Sequence, residues 1–171
     1  FTEAKDPFCM AAPPRLGEVA LRLRDDPELR FDFLQNLTAV DWIARDVIQV
    51  VYHLYSYPKR HSFVLKVDVP RAAPVVPSVE PVWKTADWLE REQFDLLGVQ
   101  FSGHPDLRRL LNPPDWVGWP GRKDYVYPKE YNGVPLLREG QFFSDEMKKT
   151  NAEREARDKE LLAKAAAQKP Q

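Results

Sequence analysis

Three carboxylates, Glu90, Glu92 and Asp95, crowd one short stretch of this chain, and His104, Arg108 and Arg109 follow it closely. Carboxyl pairs of unequal pKa can run acid–base hydrolysis. A histidine in a Gly103-His104-Pro105 turn could carry a proton, and two arginines could clamp an anion. The spacing speaks against such a site. On a helix, residues 90 and 92 point about 200° apart and cannot share a substrate. Glu92 and Asp95 share a face but have no evident pocket. No serine or cysteine nucleophile stands in a recognisable motif, so His104 reads as a structural hydrogen-bond donor. Asp106, Asp115 and Asp124 interleave with Arg108, Arg109, Arg122 and Lys123, a pattern that suits salt bridges between segments better than phosphate binding.

Glu90 raises a more specific question. On a helical wheel, Trp83, Ala86, Leu89, Phe94, Leu96 and Leu97 fall in one apolar arc, and Glu90 falls among them. Arg91, Glu92 and Asp95 lie outside it, facing outward, and Trp88 lies with them. A carboxylate on a buried face needs a partner or takes a proton. Three readings stay open: a capping box with Asp87 as N-cap, an ion pair with Arg108 or Arg109, or a catalytic carboxyl with a raised pKa. Trp88 is either covered by a loop or exposed as an interface anchor.

These residues must be positioned by a chain of 171 residues with 25 basic and 26 acidic side chains and a net charge of −1. That balance disfavours a general nucleic-acid or anionic-membrane binder. A lone cysteine, Cys9, cannot build an iron–sulfur or Cys-rich zinc site. His53, His61 and His104 lack metal-ligand spacing, and no dinucleotide or P-loop fingerprint is present. No signal peptide and no apolar run long enough to span a bilayer is read. Sixteen prolines against seven glycines point to stiff extended segments suited to draping over a neighbour.

Periodicity predicts an α+β fold. Residues 1–14 read as a flexible lead, and 15–112 as an α+β domain. Leu16–Arg24 has helical spacing, and Glu28–Leu34 suggests a second short helix. Val47–Tyr55 and Ser62–Val69 alternate as paired strands, with a shorter strand over Thr38–Trp42. Pro70–Pro81 reads as a connector. A helix from Thr85 or Asp87 to Leu97 ends at Gly98. Residues 113–143 read as an extended partner-contacting segment, and 144–171 as a charged helical or disordered tail.

Glu90-Arg91-Glu92, Asp95-Leu96-Leu97-Gly98, Gly103 to Leu111 (GHPDLRRLL) and Arg122-Lys123-Asp124-Tyr125 resemble, in order and spacing, the 30-kilodalton, or C-type, subunit family of respiratory complex I, the NADH:quinone oxidoreductase. The resemblance is strongest over 83–125; Gly121 stands where the family usually has leucine. It implies a small mixed sheet with helices, followed by an extended C-terminal segment. It also implies a non-catalytic structural subunit in the hydrophilic arm of a proton-pumping NADH:quinone oxidoreductase. Such a protein has no cofactor of its own: NADH, FMN, iron–sulfur clusters and quinone belong to other subunits. The expected partners are the D- and B-type quinone-site and terminal iron–sulfur subunits, and the location is peripheral, on the cytoplasmic face of a bacterial inner membrane or the equivalent matrix or stromal side in an organelle. Trp88, Arg91, Glu92, Asp95, His104, Asp106, Arg122, Lys123, Asp124 and Tyr125 become interface candidates, and Glu90 with Arg108 and Arg109 a structural ion pair. Membrane-bound hydrogenases and the ferredoxin:plastoquinone complex, which have cognate subunits, are the alternative owners of such a module.

Overall fold

The computed structural model describes residues 8–136, which fall into two compact units dividing between Tyr125 and Val126. In the first, a four-stranded sheet has the order β1-β4-β3-β2. Its strands are β1 (Phe8–Met10), β2 (Phe33–Trp42), β3 (Val47–Ser56) and β4 (His61–Pro70). The three long strands are antiparallel, and β1 runs parallel to β4. The α+β class read from the sequence is what the chain adopts. The lead drawn over 1–14, however, is structured from Phe8, because β1 pairs Phe8 with Val64 and Met10 with Lys66.

One face of the sheet supplies the core. Leu37, Tyr52 and Leu65 stand opposite one another across three strands, as do Ala39, Val50 and Val67. They join Leu16 and Ala20 of α1 (Leu16–Asp25) and Ala86 and Leu97 of α2 (Ala86–Leu97) in one hydrophobic cluster. Residues Leu16 to Asp25 are helical because their apolar side chains recur every three or four positions.

The short helix expected over Glu28–Leu34 does not form. Arg30 takes a left-handed φ of 46°, and the amides of Leu29 and Arg30 both bond to the Asp26 carbonyl, closing a tight turn. Phe31 is then buried, with its N–H on the Leu23 carbonyl and its own carbonyl accepting the Trp83 indole N–H at 2.9 Å. Strand β2 starts at Phe33, earlier than the Thr38 start expected. A bulge between Leu34 and Asn36 puts Leu34 and Leu37 on the same face. Those residues are three apart, which reads as helical in a linear sequence.

The proline-rich connector also contains a strand. β5 (Val75–Pro77) runs parallel to β6 (Gln100–Ser102), just beyond the end of α2. This small pair places the turn after Gly98 beside the segment before α2. Residues 113–125 belong to the same compact unit as the sheet, so the boundary drawn after 112 moves to 125. In the second unit the described residues form a tight hairpin of β7 (Glu130–Tyr131) and β8 (Val134–Pro135). Its Asn132-Gly133 corner has two positive φ angles, as a two-residue hairpin turn requires. The charged tail expected over 144–171 lies outside the described residues.

Gly98 ends α2 with a φ of 78°, and a Cβ there would come within 2.6 Å of the Trp119 indole. Gly98→Ala is therefore expected to destabilise the full chain by about 2 kcal/mol or more, through left-handed strain and overpacking. Urea denaturation checks this.

Candidate functional site

An α-helix leaves its last four carbonyls without intrahelical donors. In α2 all four are satisfied, three of them by residues well beyond the helix. The Gly98 N–H donates to the Phe94 carbonyl at 2.9 Å, and the Gly121 N–H to that of Leu96 at 2.8 Å. The Arg109 guanidinium donates to the Asp95 carbonyl at 3.1 Å. Arg122 Nε donates to that of Leu97 at 2.8 Å. Two cations at the negative end of the helix dipole add to the attraction.

Asp95 organises this end. Its side chain is wholly buried. Oδ2 accepts the backbone N–H groups of Leu110, Leu111 and Asn112 at 3.1, 2.7 and 2.7 Å. Oδ1 accepts Arg109 at 2.7 Å and the Asn112 side-chain amide at 3.0 Å. Burial alone would raise the pKa of this carboxyl. The donors, led by the Asn112 N–H and the Arg109 guanidinium, outweigh burial and hold it down at about 2. Arg109 also donates to the carbonyls of Trp116 and Gly118 at 2.8 and 2.9 Å. Its guanidinium lies 4.7 Å from the centre of the Trp119 ring, and Trp119 meets Phe94 edge-on.

The ion pair expected between Glu90 and Arg108 or Arg109 is not formed. Arg109 pairs with Asp95, and Arg108 with Asp106 in solvent at 2.8 Å. The reason is rotational: Asp95 lies about 140° round the helix from Glu90, on the side where 109–112 returns. Glu90 faces the segment before α2. It accepts Ser78 Oγ at 2.6 Å and the Val79 N–H at 2.8 Å. The capping box fails as well, because the helix starts earlier, with Thr85 in the cap position and no side-chain cap. Burial pushes Glu90 up from 4.5 to about 7, against the Ser78 and Val79 hydrogen bonds.

Arg91 and Asp95, expected to face outward, are both buried. Arg91 runs under the returning chain and donates to the carbonyls of Arg108 and Arg109 at 3.3 and 3.5 Å. Glu92 is half-buried and lines, with Gln93, Thr38 and Lys123, an open cleft of about 320 Å³. Trp88 stands clear of the body with 65% of its surface exposed. The His104 side chain is buried and spans its turn to α2, with Nε2 at 3.1 Å from the Asp87 carbonyl and Nδ1 accepting the Asp106 N–H at 3.0 Å.

A second knot ties the Arg122-Lys123-Asp124-Tyr125 stretch to the sheet. Asp41, buried on β2, accepts Arg71 Nε at 2.7 Å and the Lys123 N–H at 3.0 Å. Asp124 pairs with the same Arg71. Lys123 Nζ approaches the Trp42 ring at 5.8 Å, and Tyr125 donates to the Val117 carbonyl at 2.8 Å. Asp41, Arg71, Ser78 and Gln93 carry much of the site and were not singled out by sequence reasoning. Asp41, Arg71 and Ser78 are each a solitary polar residue in an apolar or proline-rich run, and only that isolation hinted at them; Gln93 sits among the charged residues of α2, and nothing local marked it. A carboxylate such as Asp95, closed by five donors, has no room for a substrate. Among the described residues no group of three or more His, Cys, Asp and Glu could hold a metal ion.

Comparison with known proteins covers the same ground. The profile of the family described as respiratory-chain NADH dehydrogenase, 30 Kd subunit, matches residues 9–131. A Roseiflexus castenholzii protein, named as the C-type subunit of NADH-quinone oxidoreductase, is 51% identical over 113 residues, 66% of this chain and 65% of that protein. The chain thus matches just under two thirds of the length of that relative. A Chlorobium phaeobacteroides protein of the same name is 43% identical over 70% of this chain and 72% of its own. Among solved structures, the trypsin-resistant fragment (1-134) of Nqo5 superposes with a TM-score of 0.55 at 29% identity, covering 62% of this chain and 86% of the fragment. A chain of an archaeal membrane-bound sulfane sulfur reductase complex reaches a TM-score of 0.65 at 21% identity, covering 83% and 88%, and shares the fold.

Asp95→Ala should cost about 3–5 kcal/mol of folding stability, because it orphans a buried guanidinium and three amides. Arg109→Ala should cost less than additively on top of it; a urea double-mutant cycle checks both. The two carboxyls also give opposite pH signatures. Asp95 has a lowered folded pKa, so its stabilisation is present above 3.8 and is lost as pH falls toward about 2. Glu90 has a raised one, so stability falls by about 3 kcal/mol as pH rises from 4.5 to about 7. Denaturation of Glu90→Gln across that range should lack the fall.

Proposed function

The chain belongs to the respiratory-chain NADH dehydrogenase 30 kDa subunit family, and from that premise we propose that it is a non-catalytic structural subunit of the peripheral arm of an NADH:quinone oxidoreductase. The observation that carries this reading is the family match across residues 9–131, which takes in both polar knots. In this reading NADH, FMN, iron–sulfur clusters and quinone are held by other subunits, and this chain assembles with the D- and B-type subunits. It sits on the cytoplasmic face of the membrane through them. No helix among the described residues is long and apolar enough to cross a membrane.

The geometry supports an assembling role in a specific way. The charged side chains of α2 that would be free on a solvated helix are consumed internally. Arg91, Asp95 and Glu90 are all buried. Among the side chains left outward are Trp88 on α2 and Leu111 and Val117 on the returning segment, exposed by 65%, 63% and 83%. Large apolar side chains on a rigid support suit an interface, where tryptophan is a frequent anchor.

Trp88→Ala separates folding from assembly. Its folding cost should stay within about 0.5 kcal/mol, as for an exposed side chain. Native pull-down of the tagged full chain, with mass spectrometry of the bound subunits, should recover D- and B-type subunits with the parent chain and markedly fewer with the variant. Recovery of no oxidoreductase subunit by the parent chain would overturn the proposed function.

A further inference from the structure

Among the described residues the sheet ends on β2, which has β3 on one side and no strand on the other. The open cleft of about 320 Å³ lies along that free edge, between residues 38–41 of β2, α2 and the Gly121–Lys123 stretch. Helix and edge strand keep step. Beside the start of α2, Thr85 Oγ1 donates to the Leu34 carbonyl at 3.2 Å, and further along, Gln93 Oε1 accepts the Ala39 N–H at 3.0 Å.

The Ala39 bond shows which main-chain groups are free. In an antiparallel pair, successive residues direct their N–H and C=O alternately at the paired strand and away from it. Ala39 points away from β3, so Leu37 and Asp41 do too. Apart from the Ala39 N–H, the outward main-chain groups of these residues have no hydrogen-bond partner among the described residues. At the one filled position Gln93 stands in for a strand, since a side-chain amide carries the donor and acceptor of a peptide group.

The walls of the cleft carry charge without counterions. Half-buried Glu92 lines it from α2, and exposed Lys123 from the returning segment. Neither has an ion-pair partner among the described residues. Their neighbours differ: Asp95 pairs with Arg109, Asp106 with Arg108 and Asp124 with Arg71. Leu96 and Leu97 add apolar lining. One helical turn before Glu92, on the same stripe of α2, stands exposed Trp88.

Main-chain donors and acceptors recurring at every second residue are matched by an extended chain. A helix does not match them, because its own groups are used internally. Residues 38–41 span about 13 Å, room for roughly four extended residues. We propose that the free edge of β2 docks an extended segment of another polypeptide as a fifth strand, with a basic side chain toward Glu92 and an acidic one toward Lys123. Regular pairing hands the Ala39 N–H from Gln93 to an incoming carbonyl. Main-chain bonds then hold the segment, and the two charges set its register. This inference rests on the assembling role proposed above and adds the chemistry of one contact to it.

Photo-crosslinking in the assembled complex tests it. The tagged full chain carries benzoylphenylalanine at position 38 or, separately, at position 40, and is irradiated before native pull-down and peptide mapping. Both positions should crosslink to one segment of one partner chain, at residues about two apart, as neighbouring strands require. In the same complex the Leu37 and Asp41 amides should exchange about tenfold or more slowly than in the free chain. Glu92→Lys should lower the crosslink yield about tenfold by opposing the incoming base. Crosslinks scattered over several segments, unchanged exchange at Leu37 and Asp41, or a yield indifferent to Glu92→Lys would each overturn the docking. If oxidoreductase subunits are recovered and neither position crosslinks to any of them, the docking fails and the assembling role stands. If the two-residue step appears on a protein that belongs to no oxidoreductase, the docking stands and the assembling role fails. Should the crosslinker variants not assemble, exchange at Leu37 and Asp41 in the parent complex decides.

Discussion

A helix that ends inside a protein must find donors for its last carbonyls, and in this chain that requirement at the end of α2 governs the course of the residues beyond Gly98. With eight prolines and glycines between 98 and 121, the returning segment cannot offer a long ladder of its own. It satisfies the helix with what it has: the amides of Gly98 and Gly121 and the guanidiniums of Arg109 and Arg122. Asp95 reciprocates by accepting three consecutive amides that would otherwise have no partner. The exchange is mutual, and this is why an irregular stretch can be rigid.

The close approach of the segment to the helix explains the residue choices around it. Gly121 stands where the family resemblance leads one to expect leucine, and a Cβ there would lie 3.0 Å from the Leu96 carbonyl it donates to. Trp119 fills the space that Gly98 leaves open, and the Arg109 guanidinium lies over the same ring. At the far end, Asp41 and Arg71 fasten Lys123 and Asp124 to the sheet. The outward Leu111 and Val117 are thus carried on a segment fixed at both ends. That is the property the proposed assembling role would need, since preorganised surfaces lose less on binding.

Much of the scaffold was legible in the sequence because it obeys a single period. α1, β3, β4 and the extent of α2 with its glycine stop follow from alternation or helical spacing alone. The start of β2 was not, because the bulge after Leu34 gives two core residues of a strand the spacing of a helix. β5 and β6 are three residues each and are defined only by each other. The site was half legible. The wheel placed Glu90 on a buried face, but it treated α2 as having one such face. The returning segment covers a second, and Arg91 and Asp95 are buried there. Which carboxylate Arg109 meets depends on where the chain returns, a long-range fact that no local pattern encodes.

Asp95 holds the 109–112 turn, with its outward Leu111, on α2. Residue-resolved hydrogen exchange of the full chain with Asp95→Asn measures this central claim most directly. The Leu110, Leu111 and Asn112 amides should lose protection by a factor of about 100 or more, while those of β3 and β4 keep theirs. Unchanged protection at these three amides, or an equal loss throughout the sheet, would contradict it.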